Sequence, residues 1–169
     1  MKTFRDFIDD VRDELEESSM SRLKSQSDKG GTAVMSASRG DKSSKENRAR
    51  AKKLDKDIRG KFGKGATKVQ GRYTEKDDKT GKERRVKERS HVIQSGKMGK
   101  RKFKKAVKSL GKKYGQDAVI TQQKGDKSAT LKRTRKGGLP KKNIKLGRMK
   151  PGTSGENDTK IKGKTYTYG

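Results

Sequence analysis

Two short groups of polar residues have the residue types and the spacing of known catalytic sites. Ser90 and His91 stand next to each other with Glu88 close by, and these are the side-chain types of a catalytic triad. Residues 86–94 have the pattern of a β-strand, and neighbours on a strand point to opposite faces. Ser90 and His91 therefore cannot form a nucleophile–base pair, and we expect a structural role for His91.

The second group is typical of a metal-dependent nuclease. Asp117 precedes a Gln-Gln-Lys run at 122–124, which is similar to the acid and Gln-x-Lys elements of such enzymes. A single strand would carry all of these residues, so Asp77 and Asp78 in the preceding turn would have to complete the site. A nuclease that acts on DNA stays a minor alternative.

The residue types exclude most other active sites. The chain has no Cys and one His, so it has no thiolate nucleophile and no thiolate or multi-histidine metal site. The Gly- and Lys-rich run at 60–65 lacks the flanking strand and helix of a phosphate-binding loop. We therefore predict that the protein is not an enzyme and has no catalytic residues, no metal, no cofactor and no small-molecule substrate.

Positive charge is the strongest feature of the composition. The 169 residues include 49 Lys or Arg and 21 Asp or Glu, which gives a net charge of +28, and only 24% are hydrophobic. That supply of apolar side chains is too small for one core through the whole chain. No run approaches the roughly 20 apolar residues of a membrane span. Such a polycation predicts a polyanionic partner, with duplex DNA as the first candidate.

One segment has the pattern of a small folded module. Period-two strand patterns and one helical stripe follow each other there in the order β-β-α-β-β. The predicted elements are strands at 67–74 and 86–94, a helix at 100–113, and strands at 117–122 and 128–133. This order predicts an α+β fold, with basic and largely disordered arms at 18–66 and 134–169.

Basic side chains cover both helices that are predicted within residues 18–169. The first helix is predicted near 45–59, because Ser43 and Glu46 have the spacing of a capping box. A basic helix with a narrow apolar stripe suits contact with phosphates. The residues expected to bind nucleic acid are Arg48, Arg50, Lys52 and Lys53 on the first helix, and Lys100, Arg101, Lys104, Lys105, Lys108, Lys112 and Lys113 on the second.

The first 17 residues have the opposite charge. They include seven acidic and three basic side chains, which leaves −4. Their apolar residues recur at helical spacing and predict an amphipathic helix. That stripe consists of Phe4, Phe7, Ile8, Val11 and Leu15. The helix would order on a partner molecule or, as the alternative, fold back on the core of its own chain.

The same segment carries a resemblance. Its opening, Met-Lys-Thr-Phe-Arg-Asp-Phe-Ile-Asp-Asp, resembles the capsid-targeting sequence of internal head proteins from T-even-type bacteriophages, with Phe4, Phe7 and Ile8 at its aromatic and apolar positions. The prohead protease of that family cleaves after Glu in a Leu/Ile-x-Glu pattern. Leu15, Glu16 and Glu17 supply this pattern. The resemblance implies a leader that enters the scaffold core and is then removed.

Charge and resemblance together predict an internal head protein that is packaged with the genome and binds duplex DNA non-specifically through phosphates. Its other partners would be the phage scaffold core and the prohead protease. The first alternative is an RNA-binding or ribosome-associated protein, and the second is a virion protein that docks on the capsid or portal. The expected location is the head interior of the virion, with the cytoplasm as the alternative.

Overall fold

A computed structural model of the chain shows an antiparallel sheet with two helices. The described residues are 30–76, 79–137, 141–147, 149–151, 157–161 and 164–168. The acidic segment, with its predicted helix, targeting sequence and cleavage site, lies outside them. The elements are β1 (Thr32–Ser36), α1 (Ser44–Phe62), β2 (Thr67–Lys76), β3 (Glu83–Gln94), α2 (Lys100–Lys113), β4 (Ala118–Gln122), β5 (Ala129–Arg133), β6 (Ile144–Gly147), β7 (Met149–Pro151), β8 (Asn157–Ile161) and β9 (Lys164–Tyr168).

The predicted α+β fold is confirmed. All described strands form one sheet in the order β6-β5-β4-β1-β3-β2-β8-β9-β7, and each pairing between them is antiparallel. The β-β-α-β-β order of the predicted module recurs as β2-β3-α2-β4-β5. The sheet also extends beyond that module, because the regions that we expected to be arms contribute β1, α1 and β6 to β9.

Strand β1 is the element that the sequence pattern did not indicate. It lies between β3 and β4 near the middle of the sheet, although we expected a linker there. Its five residues form a short, nearly continuous apolar run within a Ser- and Gly-rich region, so they show no alternation. A strand that is covered on both faces has no reason to alternate, and that is why a periodicity argument misses it.

Helix α1 begins where its capping box predicts. The Ser43 side chain accepts a hydrogen bond from the backbone N–H of Glu46, and the Glu46 carboxylate accepts one from the N–H of Ser43. The helix continues through the expected stop at Gly60 and ends at Gly63, whose φ is 71°. The extra turn brings Phe62 against Phe103 of α2 with ring centroids 5.6 Å apart, so packing outweighs the low helix propensity of glycine.

Both helices pack on the same face of the sheet, and their apolar stripes form the core with side chains of β1, β3 and β4. That core includes Leu54 and Ile58 of α1, Phe103, Val107 and Leu110 of α2, and Ala33, Met35, Ile93 and Val119 of the strands. Neither described helix is long and apolar enough to cross a membrane.

Candidate functional site

An open cleft of about 350 Å³ lies at the C-terminal end of α2. The connection between β1 and α1, residues 37–43, contributes one side, and the last turn of α2 contributes the other. Its volume is at the lower end of the roughly 300–1,000 Å³ that is usual for small-molecule sites. The lining residues are Arg39, Asp41, Lys42, Arg50, Lys112, Lys113, Tyr114 and Gly115.

Tyr114 is the buried aromatic residue of this cleft, with 3% of its surface exposed. Its hydroxyl donates a 2.6 Å hydrogen bond to Oδ2 of Asp57, and Lys113 Nζ lies 2.8 Å from the same oxygen. Burial and the bond to Asp57 raise the pKa of Tyr114 far above its usual value. Hydrogen bonds from Lys113 and Tyr114 lower the pKa of Asp57. At neutral pH the phenol is therefore protonated and Asp57 is a carboxylate.

Two arginines fix the β1–α1 connection to the end of α2. Arg50 donates from Nε to the carbonyl of Ala37 at 2.7 Å and from Nη2 to the carbonyl of Tyr114. Its guanidinium carbon lies 5.7 Å from the centroid of the Tyr114 ring. Arg39 donates from Nη1 to the carbonyl of Gly115 at 3.2 Å. Because both walls are tied by hydrogen bonds, the cleft is formed before any ligand binds.

The cleft is positively charged, but it has two negative features. Its cationic residues are Arg39, Lys42, Arg50, Lys112 and Lys113. The first negative feature is Asp41, which accepts a 2.8 Å hydrogen bond from Arg39, and this bond lowers the pKa of Asp41. The second is the C-terminal end of α2, where backbone carbonyls carry partial negative charge. The cleft can therefore hold a carboxylate beside its cations and a cation near the helix end.

A second polar cluster lies where α1 crosses the sheet. His91 is completely buried, and its Nε2 is 3.2 Å from Oδ1 of Asp55. Within the described ranges neither ring nitrogen makes a hydrogen bond. Lys68 Nζ lies 2.6 Å from the other oxygen of Asp55. Burial lowers the pKa of His91 against the opposing effect of Asp55, which indicates a neutral ring in the core.

This arrangement agrees with the structural role that we expected for His91. Ser90 pairs with Ser36, and His91 pairs with Met35, so their side chains lie on opposite faces of the sheet. No group of three His, Asp or Glu side chains that could hold a metal ion occurs in the part of the chain that the structure describes.

The basic residues that we expected to bind nucleic acid fall into two groups in the structure, one that lines the cleft and one that is exposed along the helices. Arg50, Lys112 and Lys113 line the cleft, and Arg50 is occupied by two backbone carbonyls of its own chain. The remaining eight side chains are exposed along α1 and α2. They are Arg48, Lys52, Lys53, Lys100, Arg101, Lys104, Lys105 and Lys108.

Sequence reasoning missed three residues that shape the cleft. Arg39 and Asp41 lie in a connection without periodic pattern, so no local signal indicated them. Asp57 lies on a helix whose other polar residues are mostly basic and predict a solvated surface. Its partners Lys113 and Tyr114 are more than 50 residues away in the sequence.

Comparison with known proteins identifies the family. Residues 33–169 match the S-adenosylmethionine lyase family, which is well over half of the chain. The chain therefore belongs to the S-adenosylmethionine lyase family. Among solved structures it is similar to a phage SAM lyase in complex with S-methyl-5'-thioadenosine, at a TM-score of 0.38 and 18% identity, over 70% of this chain and 90% of that chain. No curated protein matches.

The family match overturns the functional predictions made from the sequence. The chain is not an internal head protein of T-even phages, and the prediction that it is not an enzyme is wrong. The expectations of a DNA partner and of no small-molecule substrate are wrong for the same reason, and so are the RNA-binding, capsid-docking and nuclease alternatives. The error was physical: net charge describes the long-range field of a protein, and it carries no information about the chemistry of a cleft.

Proposed function

We propose that this protein cleaves S-adenosylmethionine as a lyase, and that the cleft at the end of α2 binds the substrate. The observation that carries the proposal is the family match over residues 33–169. The cleft supports the location, because it is preformed, holds a buried aromatic ring and contains charges of both signs.

The substrate has three charged groups, and the cleft offers a counterpart for each. Its carboxylate would pair with Arg39 and Lys112, which lie on opposite sides of the cleft. Its ammonium would pair with Asp41. Its sulfonium would lie near the C-terminal end of α2, where the helix dipole attracts cations.

A lyase breaks the carbon–sulfur bond without adding water, and two routes achieve this. In the first, a substrate carboxylate oxygen forms a bond to Cγ while the Cγ–S pair moves to sulfur, which yields a lactone and a neutral thioether. In the second, a base removes a proton from Cβ and the thioether leaves, which yields a vinyl amino acid.

The residues of the cleft favour the first route. A β-elimination needs a base, and the carboxylates here are poor bases, because Asp41 is bonded to Arg39 and Asp57 to Lys113 and Tyr114. Hydrogen bonds of this kind hold both pKa values below the ordinary range. The substrate's own carboxylate needs no base from the protein.

The charge change of the reaction also suits a positive cleft. Cleavage converts a sulfonium cation into a neutral thioether, so repulsion between the sulfonium and the five cationic side chains disappears as the bond breaks. Interactions that disfavour the starting charge more than the transition state lower the barrier.

The direct test is incubation of the full chain with S-adenosylmethionine in H₂¹⁸O, followed by mass spectrometry. We expect the thioether and a lactone, with ¹⁸O only in the carboxyl group after the lactone hydrolyses. Label in the side-chain hydroxyl would indicate attack by water and would overturn the lyase assignment, and so would a folded chain without activity. A vinyl amino acid as the product would agree with the lyase assignment but would contradict the lactone-forming route.

A second experiment tests whether the substrate binds in the cleft at the end of α2. Lys112→Gln removes one cation from the cleft, and Lys105→Gln removes another exposed lysine on the same side of α2, two turns earlier. We expect Lys112→Gln and Arg39→Gln to lower kcat/KM at least tenfold, because each removes a charge-assisted hydrogen bond to the carboxylate. Lys105→Gln should leave it within about twofold. If Lys112→Gln and Lys105→Gln behave alike, the substrate binds elsewhere.

A further inference from the structure

Three lysines converge beside α2, and none of them lines the cleft. They are Lys104 and Lys108 of α2 and Lys132 of β5. Lys132 pairs directly with Val119, whose side chain belongs to the core under the helices. Directly paired residues share a face of the sheet, so Lys132 lies on the face that carries α2. We refer to these three residues as the lysine cluster.

One close contact places the lysine cluster along α2. A Cβ on Gly111 would lie 2.6 Å from Cγ2 of Thr134, so this turn of α2 lies over the end of β5. Helix α2 and β5 run in the same direction, because a short connection reverses α2 into β4 and β4 is antiparallel to β5. On the same side of the helix as Gly111, Lys108 and Lys104 lie about 4.5 Å and about 10.5 Å back along its axis. Lys132 lies about 6.6 Å back along the strand from Thr134, at a level between them.

The lysine cluster holds positive charge without a matching carboxylate. Burial and the ammonium groups of Lys104 and Lys108 lower the pKa of Lys132 to about 8, against the opposing effect of Asp126. The Asp126 carboxylate already accepts a 2.9 Å hydrogen bond from the backbone N–H of Gln123. Among the residues that the structure describes, no Asp or Glu forms an ion pair with any of the three lysines. An anion that enters the cluster therefore relieves repulsion as well as gaining contacts.

We propose that the lysine cluster binds a phosphate dianion, either as inorganic phosphate or as the phosphate group of a small molecule. Ammonium groups from α2 and from β5 would donate charge-assisted hydrogen bonds to its oxygens. A dianion suits the cluster better than a carboxylate does, because it carries two charges and has more acceptor oxygens. S-adenosylmethionine has no phosphate group, so this is a second site, and it does not depend on the proposed lyase activity.

Proton uptake distinguishes binding at this site from general attraction to the protein. In the free protein at pH 8, Lys132 is protonated in about half of the molecules. A bound dianion favours the charged form of the amine and raises its pKa, so binding at pH 8 takes up about half a proton. Phosphate that is attracted only by the net charge of +28 meets lysines that are already protonated, and it takes up none.

Isothermal titration calorimetry of the full chain with inorganic phosphate at pH 8 tests the proposal, with the ionic strength held constant by NaCl. Buffers of different ionisation enthalpy count the protons, and we expect one saturable site with uptake of about half a proton. Lys132→Gln should weaken phosphate binding at least tenfold, because it removes a charge-assisted hydrogen bond. Lys145→Gln should leave binding within about twofold. Lys145 is the matched control, since it is exposed and pairs with Thr130 on the same face, one strand beyond the cluster.

A charge-conserving variant separates the two effects. Lys132→Arg keeps the charge and stays protonated at pH 8, so it should retain phosphate binding and lose the proton uptake. Equal weakening by Lys132→Gln and Lys145→Gln, both shown to be folded by circular dichroism, would overturn the site, and so would binding to the unmodified chain without proton uptake or no saturable binding. Titration with glycerol phosphate separates the two sources of the dianion. Binding at least tenfold tighter than that of inorganic phosphate assigns the site to a phosphorylated small molecule, and comparable or weaker binding assigns it to the free ion.

Discussion

At the level of single residues, the burial of His91 determines how the protein responds to mild acid. Burial lowers the pKa of His91 below its ordinary value of 6.5. An unfolded chain therefore takes up a proton below about pH 6.5 that the folded chain does not, and stability falls as pH decreases. We expect the free energy of unfolding to fall between pH 7 and 5, with a slope of at most about 1.4 kcal/mol per pH unit.

This slope can be assigned to one residue, because the chain has a single His. Urea unfolding at several pH values measures it, and His91→Gln should flatten the curve between pH 7 and 5. The Cε1 proton in an NMR titration should report the lowered pKa directly. A measured pKa of 6.5 or higher for His91 would show that the fold does not hold the ring in its neutral form.

Gly115 lines the cleft in a left-handed backbone conformation. Its φ is 68°, and a Cβ at this position would lie 2.5 Å from Nη1 of Arg39. We expect Gly115→Ala to cost about 1–2 kcal/mol of stability and to lower kcat/KM, since Arg39 must move. Gly125→Ala is the matched control, with φ 84° and open space around its Cβ.

Denaturant unfolding and steady-state kinetics on both variants separate the two effects. Gly125→Ala should lose about 1 kcal/mol from the positive φ alone and keep its activity. Equal activity in the two variants would mean that the position of Arg39 does not matter to the reaction.

At the level of elements, the capping box of α1 contributes stability that a small substitution can measure. Ser43→Ala removes the acceptor for the N–H of Glu46, and loss of such a cap typically costs about 1 kcal/mol. Ser44→Ala changes the neighbouring first residue of the helix and should cost much less. Urea unfolding compares them, and equal losses would argue against the cap.

The predictable elements are those whose apolar residues keep a regular period. Helix α2 was predicted with the bounds that it has, because Phe103, Val107 and Leu110 all face the core. The β2–β3 hairpin and the capping box of α1 are likewise local in sequence. Strand β1 is different, since its partners β3 and β4 lie about 60 and 90 residues further along the chain.

The candidate site could not be predicted for the same reason. Arg39 meets Gly115 over a separation of 76 residues, and Tyr114 meets Asp57 over 57. Lys112 and Lys113 were noticed, but only as charges on a helix. Only the packing of α1 and α2 on one face of the sheet turns these residues into a cleft.

At the level of the whole molecule, the net charge of +28 acts on the substrate before any contact forms. S-adenosylmethionine carries a sulfonium and an ammonium against one carboxylate, so it is repelled by the protein at long range. Salt screens exposed charges beyond about 10 Å at 0.1 M, and it screens close contacts less. Salt should therefore weaken the repulsion more than it weakens the contacts within the cleft.

We therefore expect kcat/KM to rise severalfold between about 20 and 200 mM salt. Inhibition by the neutral thioether product is the control, because its binding has no net charge to repel and should change little. Sucrose at matched osmolality tests for effects of the solute that do not involve charge. A protein that binds a polyanion weakens its binding steeply over the same range. A fall in kcat/KM with salt would therefore mean that attraction, and not repulsion, governs the approach of the substrate.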